Sequence, residues 1–498
     1  MSSSDLLTSE PRNGPPLPFE IWGAIFECVF LAAQISDENW ASGQLIRMDT
    51  VSRSSLFRIS MTAHYPLRIV CSAWNAVVLS TAPLWTTITV YREDERAPEI
   101  AQMAVLRHLE LSNGHPLRVT LWGRYDWRAS ARNDQFTALI DTLFSQSARF
   151  ISLELIRTGI NILITLPSNL CSLQSFVCLQ ASRRFRDESN FLAALKAAPL
   201  RRLRITVSEP VEPDMQAILD NVDWRKLDSL ACSSRQTLLH YLANPASGPP
   251  GVAGGVKCVE LFTLVEYTAH QDLVMCTALR LEVLKLDGRN KNWHRMLEAL
   301  APPALQLLAI YNNCTFRGNL QVVGHHLAQH YVSVTTLALH YIADVSSTSL
   351  ACLLGNLPAL AVLDLKERSH PVYPLHGHHL LAQLMNLVPR LKRNTAPSEL
   401  AFARLKEITY ELDDLPLSLA QDGGGPTSMQ RQLLLDTITS FVEYWGNVPT
   451  IESVTVAQRT FTVHGLELRN QLANHSVFLQ QRRKWVEEGR LVVEVGLT

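Results

Sequence analysis

Residues 281–286 read LEVLKL and contain the pattern from which the fold can be predicted. An apolar residue is followed by two others, a second apolar residue, one other and a third apolar residue. The pattern recurs in nine clear copies, and between the middle residues of the first seven the steps are 27, 29, 25, 24, 29 and 26 residues. Two longer steps of 45 and 46 residues lead to the last two copies, and weaker copies precede the first at 150–155 and 173–178. The middle residues of the nine copies are Leu203, Leu230, Val259, Leu284, Leu308, Leu337, Leu363, Ile408 and Val454.

This spacing predicts an α/β solenoid of the leucine-rich-repeat type. Apolar residues that alternate over a short stretch form a strand with one face inward. The rest of each unit, about 20 residues, returns the chain on the outer side so that the next strand pairs in parallel. We therefore expect parallel strands inside and helices outside, with a helix over 347–357. Each long step holds either a degenerate repeat or an inserted helix and loop. The repeats are irregular because the usual asparagine after the strand is mostly absent.

Composition excludes several classes of protein. The chain has 498 residues, of which 47% are hydrophobic and 18% charged, with 45 basic and 46 acidic side chains. Wholesale disorder requires lower hydrophobicity, and a dedicated nucleic-acid binder usually carries a basic excess. The nine cysteines form no C-x-x-C pair, which favours free thiols in a reducing compartment. We find no secretory signal and no stretch long enough to span a membrane, and we expect a cytoplasmic or nuclear location.

A different pattern precedes the repeats. Residues 15–30 read PPLPFEIWGAIFECVF, which predicts a helix with two apolar stripes. One stripe contains Leu17, Ile21, Ile25 and Val29, and the other contains Trp22, Phe26 and Phe30. A helix that is apolar on two sides needs two partners, one of which can be another protein. The segments PLRIVCSAWNAVV at 66–78 and PLWTTI at 83–88 follow as a second helix and then a turn and strand.

These segments together resemble an F-box, and most closely the variant found in F-box proteins of mushroom-forming fungi. The resemblance covers about residues 15–122 and departs from the family in an insertion at 31–65 and in Asn75, where arginine is usual. It implies docking on a Skp-type adaptor and, through the adaptor, a cullin–RING ubiquitin ligase. Carried over by position, the adaptor-binding residues are Leu17, Pro18, Ile21, Trp22, Ile25, Phe26, Val70 and Trp74. The alternative is that this helical segment only caps the repeat array.

The predicted organisation has four parts. A disordered tail covers 1–14, and an F-box-like domain with the insertion covers 15–98. The irregular repeat array covers 99–465, and a terminal cap covers 466–498.

Signatures of catalysis are missing from the sequence. It contains no G-x-S-x-G elbow, phosphate-binding loop, dinucleotide fingerprint or H-E-x-x-H motif. Histidines cluster at 325–330 and 370–379, and His326 and His330 are one helical turn apart. No cysteine or carboxylate completes either cluster, so we predict no metal site and no cofactor.

A target protein is expected to bind the concave face of the array. Residues between or just after the apolar positions point to that face. They are Arg204, Glu260, Lys285, Asp287, Tyr311, His340, Asp364, Lys366 and Glu411. Mixed charges with aromatic rings suit a protein surface better than a phosphate backbone. The inserted stretches 367–399 and 415–447 are alternative contact sites.

The sequence therefore predicts a non-catalytic substrate receptor of an SCF-type ubiquitin ligase, with no nucleic-acid or membrane partner. The first alternative is a repeat scaffold that binds proteins but no ligase adaptor, which the insertion at 31–65 favours. The second is an enzyme.

Overall fold

The computed structural model divides the chain into two compact units, 1–120 with 131–151 and 121–130 with 152–498. Within them the structure describes residues 18, 20–26, 28, 68–91, 98–122, 133–156, 167, 169–181, 189–207, 218–223, 226–232, 256–261, 277–287, 293–311, 320–342, 347–369, 380, 383–384, 404–414, 440, 451–459, 483, 487 and 495–496.

The described part of the first unit contains short helices, strand β1 and most of strand β2. Residues 20–26 are helical, and the helix Ser72–Ser80 is followed by a single 3-10 turn, Ala82–Trp85. Strand β1, Thr87–Tyr91, comes next, as the sequence predicts. The unit continues through the helix Pro98–Leu111, strand β2 (Leu117–Trp122) and the helix Asn133–Phe144.

The core of the first unit is centred on Trp85. Its indole Nε1 donates a hydrogen bond of 2.8 Å to the carbonyl of Val78, so this large side chain is buried with its polar atom satisfied. Pro83 lies in the first turn of the 3-10 helix, where its fixed φ suits a helix start. Phe26, Val78 and Leu84 complete the same cluster.

The second unit contains a parallel sheet whose strands follow chain order. Each strand from β3 to β14 pairs in parallel with the next one. The strands are β3 Phe150–Ile156, β4 Ser175–Ala181, β5 Arg202–Val207, β6 Ser229–Cys232, β7 Cys258–Leu261, β8 Val283–Asp287, β9 Leu307–Tyr311, β10 Thr336–His340, β11 Val362–Ser369, β12 Glu407–Asp414, β13 Ser453–Arg459 and β14 Val495–Gly496.

The sheet register confirms the repeat pattern. Leu284 on β8 lies opposite Leu308 on β9, which lies opposite Leu337 on β10, and all three are fully buried. The carbonyl of Glu282 accepts hydrogen bonds from the backbone N–H groups of Gln306 (2.8 Å) and Leu307 (3.0 Å). The same double acceptance recurs from repeat to repeat. The chain is therefore a solenoid of the leucine-rich-repeat type, in which each strand buries its apolar side chains against its neighbours.

The strands on either side of each long step pair directly with each other in the sheet. Leu363 on β11 pairs with Ile408 on β12, which pairs with Val454 on β13, although 45 and 46 residues separate them in the chain. Within the first step, Leu380 and Leu384 are helical and buried.

Helices return the chain between several strands of the array. They include Ser189–Ala197, Trp293–Ala299, Leu320–His330 and Ser347–Gly355. The last of these confirms the helix predicted over 347–357, and its buried residues include Leu350, Leu353 and Leu354.

Candidate functional site

The described residues of the two apolar stripes differ in their exposure to solvent. Trp22 and Phe26 face inward and contact Trp74, with ring centroids 5.1 Å apart for Trp22–Trp74 and 4.9 Å apart for Phe26–Trp74. Phe26 is buried. Ile21 and Ile25 remain exposed, at 47% and 38% of their surface. Because Trp22 and Phe26 supply the core contacts, Ile21 and Ile25 are left for solvent or for a partner.

A second exposed apolar pair lies in the turn before the helix Ser72–Ser80. Ile69 is 83% exposed and Val70 is 58% exposed. Cys71 fixes the end of this turn because its sulfur accepts the backbone N–H of Trp74 at 3.4 Å. Ile69, Val70, Ile21 and Ile25 are called the outer apolar set below.

The structure therefore separates the predicted adaptor-binding residues by exposure. Pro18, Ile21, Ile25 and Val70 are exposed. Trp22, Phe26 and Trp74 belong to the inner aromatic contacts, and Leu17 lies outside the described residues. Ile69 is not in the predicted set, because the positions carried over from the F-box resemblance include Val70 but not the residue before it.

Asn75, where the F-box family usually has arginine, takes part in a local polar contact. Its Oδ1 accepts a hydrogen bond of 2.9 Å from Nε of Arg68. The guanidinium of Arg68 also lies 5.9 Å from the ring centroid of Trp85. Arg68, which lies just before the helix Ser72–Ser80, thus contacts both Asn75 and Trp85.

In the second unit, three of the predicted target-binding residues form a polar group across strands β5 to β9. Arg204 Nη2 lies 3.5 Å from Glu260 Oε1, and the hydroxyl of Tyr311 donates to the same oxygen at 2.8 Å. Arg204 reaches Glu260 across Ala231, which lies between them in the register and has a small side chain. Burial, followed by the charges of Glu260 and Asp287, raises the pKa of Tyr311 well above its ordinary value.

A second polar group lies on β10 to β12. His340 Nε2 is 2.9 Å from Asp364 Oδ2, and Lys366 Nζ is 2.6 Å from Glu411 Oε2. Desolvation raises the pKa of Asp364, but the hydrogen bond and charge of His340 and the charge of Lys366 outweigh it and lower the pKa. About a quarter of the side-chain surface of His340 and of Lys366 is exposed.

The predicted target-binding residues are thus brought together on one sheet face, but they largely neutralise one another. Arg204 and Glu260 are buried, whereas Lys285, Tyr311, His340, Asp364 and Lys366 are partly exposed. Lys285 lies opposite Glu260 in the register. A partner on this face would meet partly exposed side chains from β8 to β11.

Within the described residues, no group of three or more His, Cys, Asp and Glu side chains is placed to hold a metal ion. Among the helices that the structure describes, none has the length and apolar character needed to cross a bilayer.

A comparison with solved structures finds similar chains, among them a leucine-rich repeat protein. The chain matches no protein-family model and no curated protein. The crystal structure of the leucine-rich repeat-containing protein LegL7 from Legionella pneumophila is similar, with a TM-score of 0.32 and 12% sequence identity, over 78% of this chain and 98% of that one. The assignment of the fold rests on the strand register described above.

Proposed function

We propose that this protein is a non-catalytic substrate receptor of a cullin–RING ubiquitin ligase. Its first helical segment would dock on a Skp-type adaptor, and its repeat array would bind the target. The receptor would raise the effective concentration of the target near catalytic subunits that belong to other chains. This role implies a cytoplasmic or nuclear location.

The exposure of Ile21 and Ile25 carries the proposal. A helix that only capped the array would be expected to bury both apolar stripes, whereas these two isoleucines remain 47% and 38% exposed. Interfaces gain most of their affinity from a few large side chains that become desolvated on binding. The F-box resemblance of the surrounding segments gives the partner its identity as a Skp-type adaptor.

The structure also suggests different roles for the residues of the adaptor-binding set. We propose that the outer apolar set and Pro18 contact the adaptor. Trp22, Phe26 and Trp74 would instead hold the first helix in place, because their rings pack on one another.

We propose that the target binds the sheet face that bears His340, Asp364 and Lys366. These side chains are partly exposed and carry both charges, which fits a polar protein surface. The alternative function is a repeat scaffold for protein interactions without adaptor binding. The inserted segment 31–65 favours this alternative, and it lies outside the described residues.

A pull-down with purified full-length chain and a Skp-type adaptor tests the proposal. The variant carries Ile21→Asp and Ile25→Asp, which place charges on exposed positions and leave the inner aromatic contacts intact. The matched control carries Leu279→Asp and Val332→Asp, two exposed apolar residues of the array, at 63% and 48%. We expect the first variant to bind the adaptor about thirtyfold more weakly or worse, because a hot-spot side chain contributes about 2 kcal/mol.

Two results would count against the receptor role. Failure of the folded wild-type chain to bind the adaptor would leave the scaffold as the function. Equal weakening in the control would mean that any added charge disturbs binding. Circular dichroism and thermal unfolding of every variant separate loss of binding from loss of fold.

A further inference from the structure

The helix Leu320–His330 presents two imidazoles on one face near its carboxyl end. His326 and His330 are four residues apart, so their side chains lie one turn apart on the same side. Their ring centroids are 4.4 Å apart, with an angle of 42° between the ring planes. Both residues are partly exposed and therefore accessible to a small ion.

A backbone carbonyl orients the ring of His326. Its Nε2 lies 2.9 Å from the carbonyl oxygen of Leu300, which is fully buried. A carbonyl oxygen only accepts, so Nε2 carries a proton and donates it to this bond. In the neutral ring the lone pair is then on Nδ1. Histidine ligands in metal sites usually donate their second ring N–H to a carboxylate, a backbone carbonyl or water, as His326 does here.

The surroundings of His330 also favour a bound cation. His330 is the last residue of its helix, where backbone carbonyls leave a partial negative charge.

We propose that His326 and His330 form a two-histidine chelating site for a divalent transition-metal ion, with Zn²⁺ as the probe ion. Metal–nitrogen bonds of about 2.0–2.1 Å place two coordinated nitrogens about 3 Å apart, and two histidines four residues apart on one helix face are a known pair of zinc ligands. Water completes the coordination, since the described residues supply no third ligand. The sequence alone predicts no metal site here, because it shows neither the contact with Leu300 nor the closeness of the rings.

Isothermal titration of the full chain with Zn²⁺ tests this site against a matched variant pair. His330→Gln removes one ligand at a partly exposed helix end, and His325→Gln removes the exposed histidine next to the proposed ligand His326. The control is needed because the chain has 16 histidines. Loss of a group that merely orients a ligand already weakens binding about 10- to 100-fold. We therefore expect His330→Gln to weaken Zn²⁺ binding about tenfold or more, and His325→Gln to leave it unchanged.

Equal Zn²⁺ affinity in the wild type and both variants would overturn the proposal, as would the absence of any Zn²⁺ binding. A second measurement needs no variant. Diethyl pyrocarbonate modifies accessible imidazoles, and mass spectrometry identifies which ones. Zn²⁺ should protect His326 and His330 of the wild-type chain and leave His325 reactive. Modification of all three regardless of Zn²⁺ would also contradict the site.

Discussion

At the scale of single residues, a buried carboxylate holds the inserted segment of the array to the sheet. Glu367 on β11 is buried, and its Oε2 accepts a hydrogen bond of 2.9 Å from the hydroxyl of Tyr410 on β12. Its other oxygen accepts the backbone N–H of Leu380. Burial, followed by the charge of Glu367, raises the pKa of Tyr410 well above its ordinary value, so the hydroxyl keeps its proton and remains a donor.

Tyr410→Phe should lower the free energy of unfolding by about 1–3 kcal/mol. The variant removes a hydrogen-bond donor from the buried Glu367 carboxylate, and a buried charged acceptor without its donor is unfavourable. The matched control is Tyr331→Phe, which removes a buried hydroxyl that donates to the neutral carbonyl of Leu297 at 3.0 Å. We expect the control to lose only about 0.5–1.5 kcal/mol. Urea unfolding of both variants measures the difference. A larger loss of stability in Tyr331→Phe than in Tyr410→Phe would show that the hydrogen bond from Tyr410 to Glu367 contributes little to stability.

At the scale of elements, one glycine sets the distance between two helices of the array. Gly324 lies in the helix Leu320–His330 and faces the helix Ser347–Gly355 and the residue just after it. A Cβ at this position would stand 2.7 Å from Asn356 Nδ2 and 2.8 Å from Cys352 Sγ. Asn356 cannot simply move away, because its Nδ2 donates to the carbonyl of Cys352 at 2.7 Å.

Gly324→Ala should therefore destabilise the array, because overpacking of this kind typically costs about 1–3 kcal/mol. Gly23 is the matched control, since a Cβ there would meet only Thr81 Oγ1, at 3.4 Å. Gly23→Ala should be neutral or stabilising by up to about 1 kcal/mol, because alanine is the better helix former. Thermal unfolding of both variants tests the contrast, and equal behaviour would argue against close helix contact at Gly324.

At the scale of the whole molecule, the array is a series of repeats in which each strand pairs with the strands before and after it. Stability in such a series is approximately the sum of repeat stabilities and of the interfaces between neighbours. Damage to one repeat should thus spread to adjacent repeats before it reaches distant ones.

Leu308→Ala tests this expectation in the middle of the array. Leu308 is fully buried on β9, and its truncation should cost about 2–5 kcal/mol. Hydrogen exchange should accelerate in β8 and β10 more than in β4. The control is Leu279→Ala, at a site that is 63% exposed, and it should change neither stability nor hydrogen exchange appreciably. Uniform acceleration across the array would show that the repeats unfold as one cooperative block.

The repeat architecture and the position of most strands can be predicted from the amino-acid sequence. The reason is physical and local: alternating apolar residues form a strand with one buried face, and an even spacing of 24 to 29 residues places the next strand beside it. The same local reasoning located the helix Ser347–Gly355 and the two apolar stripes of the first helix.

Three features become visible in the folded chain: which residues of the first helix face inward, which strands the long steps connect and which charged side chains pair. Trp22 and Ile21 are adjacent in sequence, yet the contact with Trp74 separates their roles. Leu363 pairs with Ile408 across 45 residues, and Arg204 meets Glu260 two strands away. Each of these outcomes depends on contacts between residues that are distant along the chain, and no local pattern of residue types encodes such contacts.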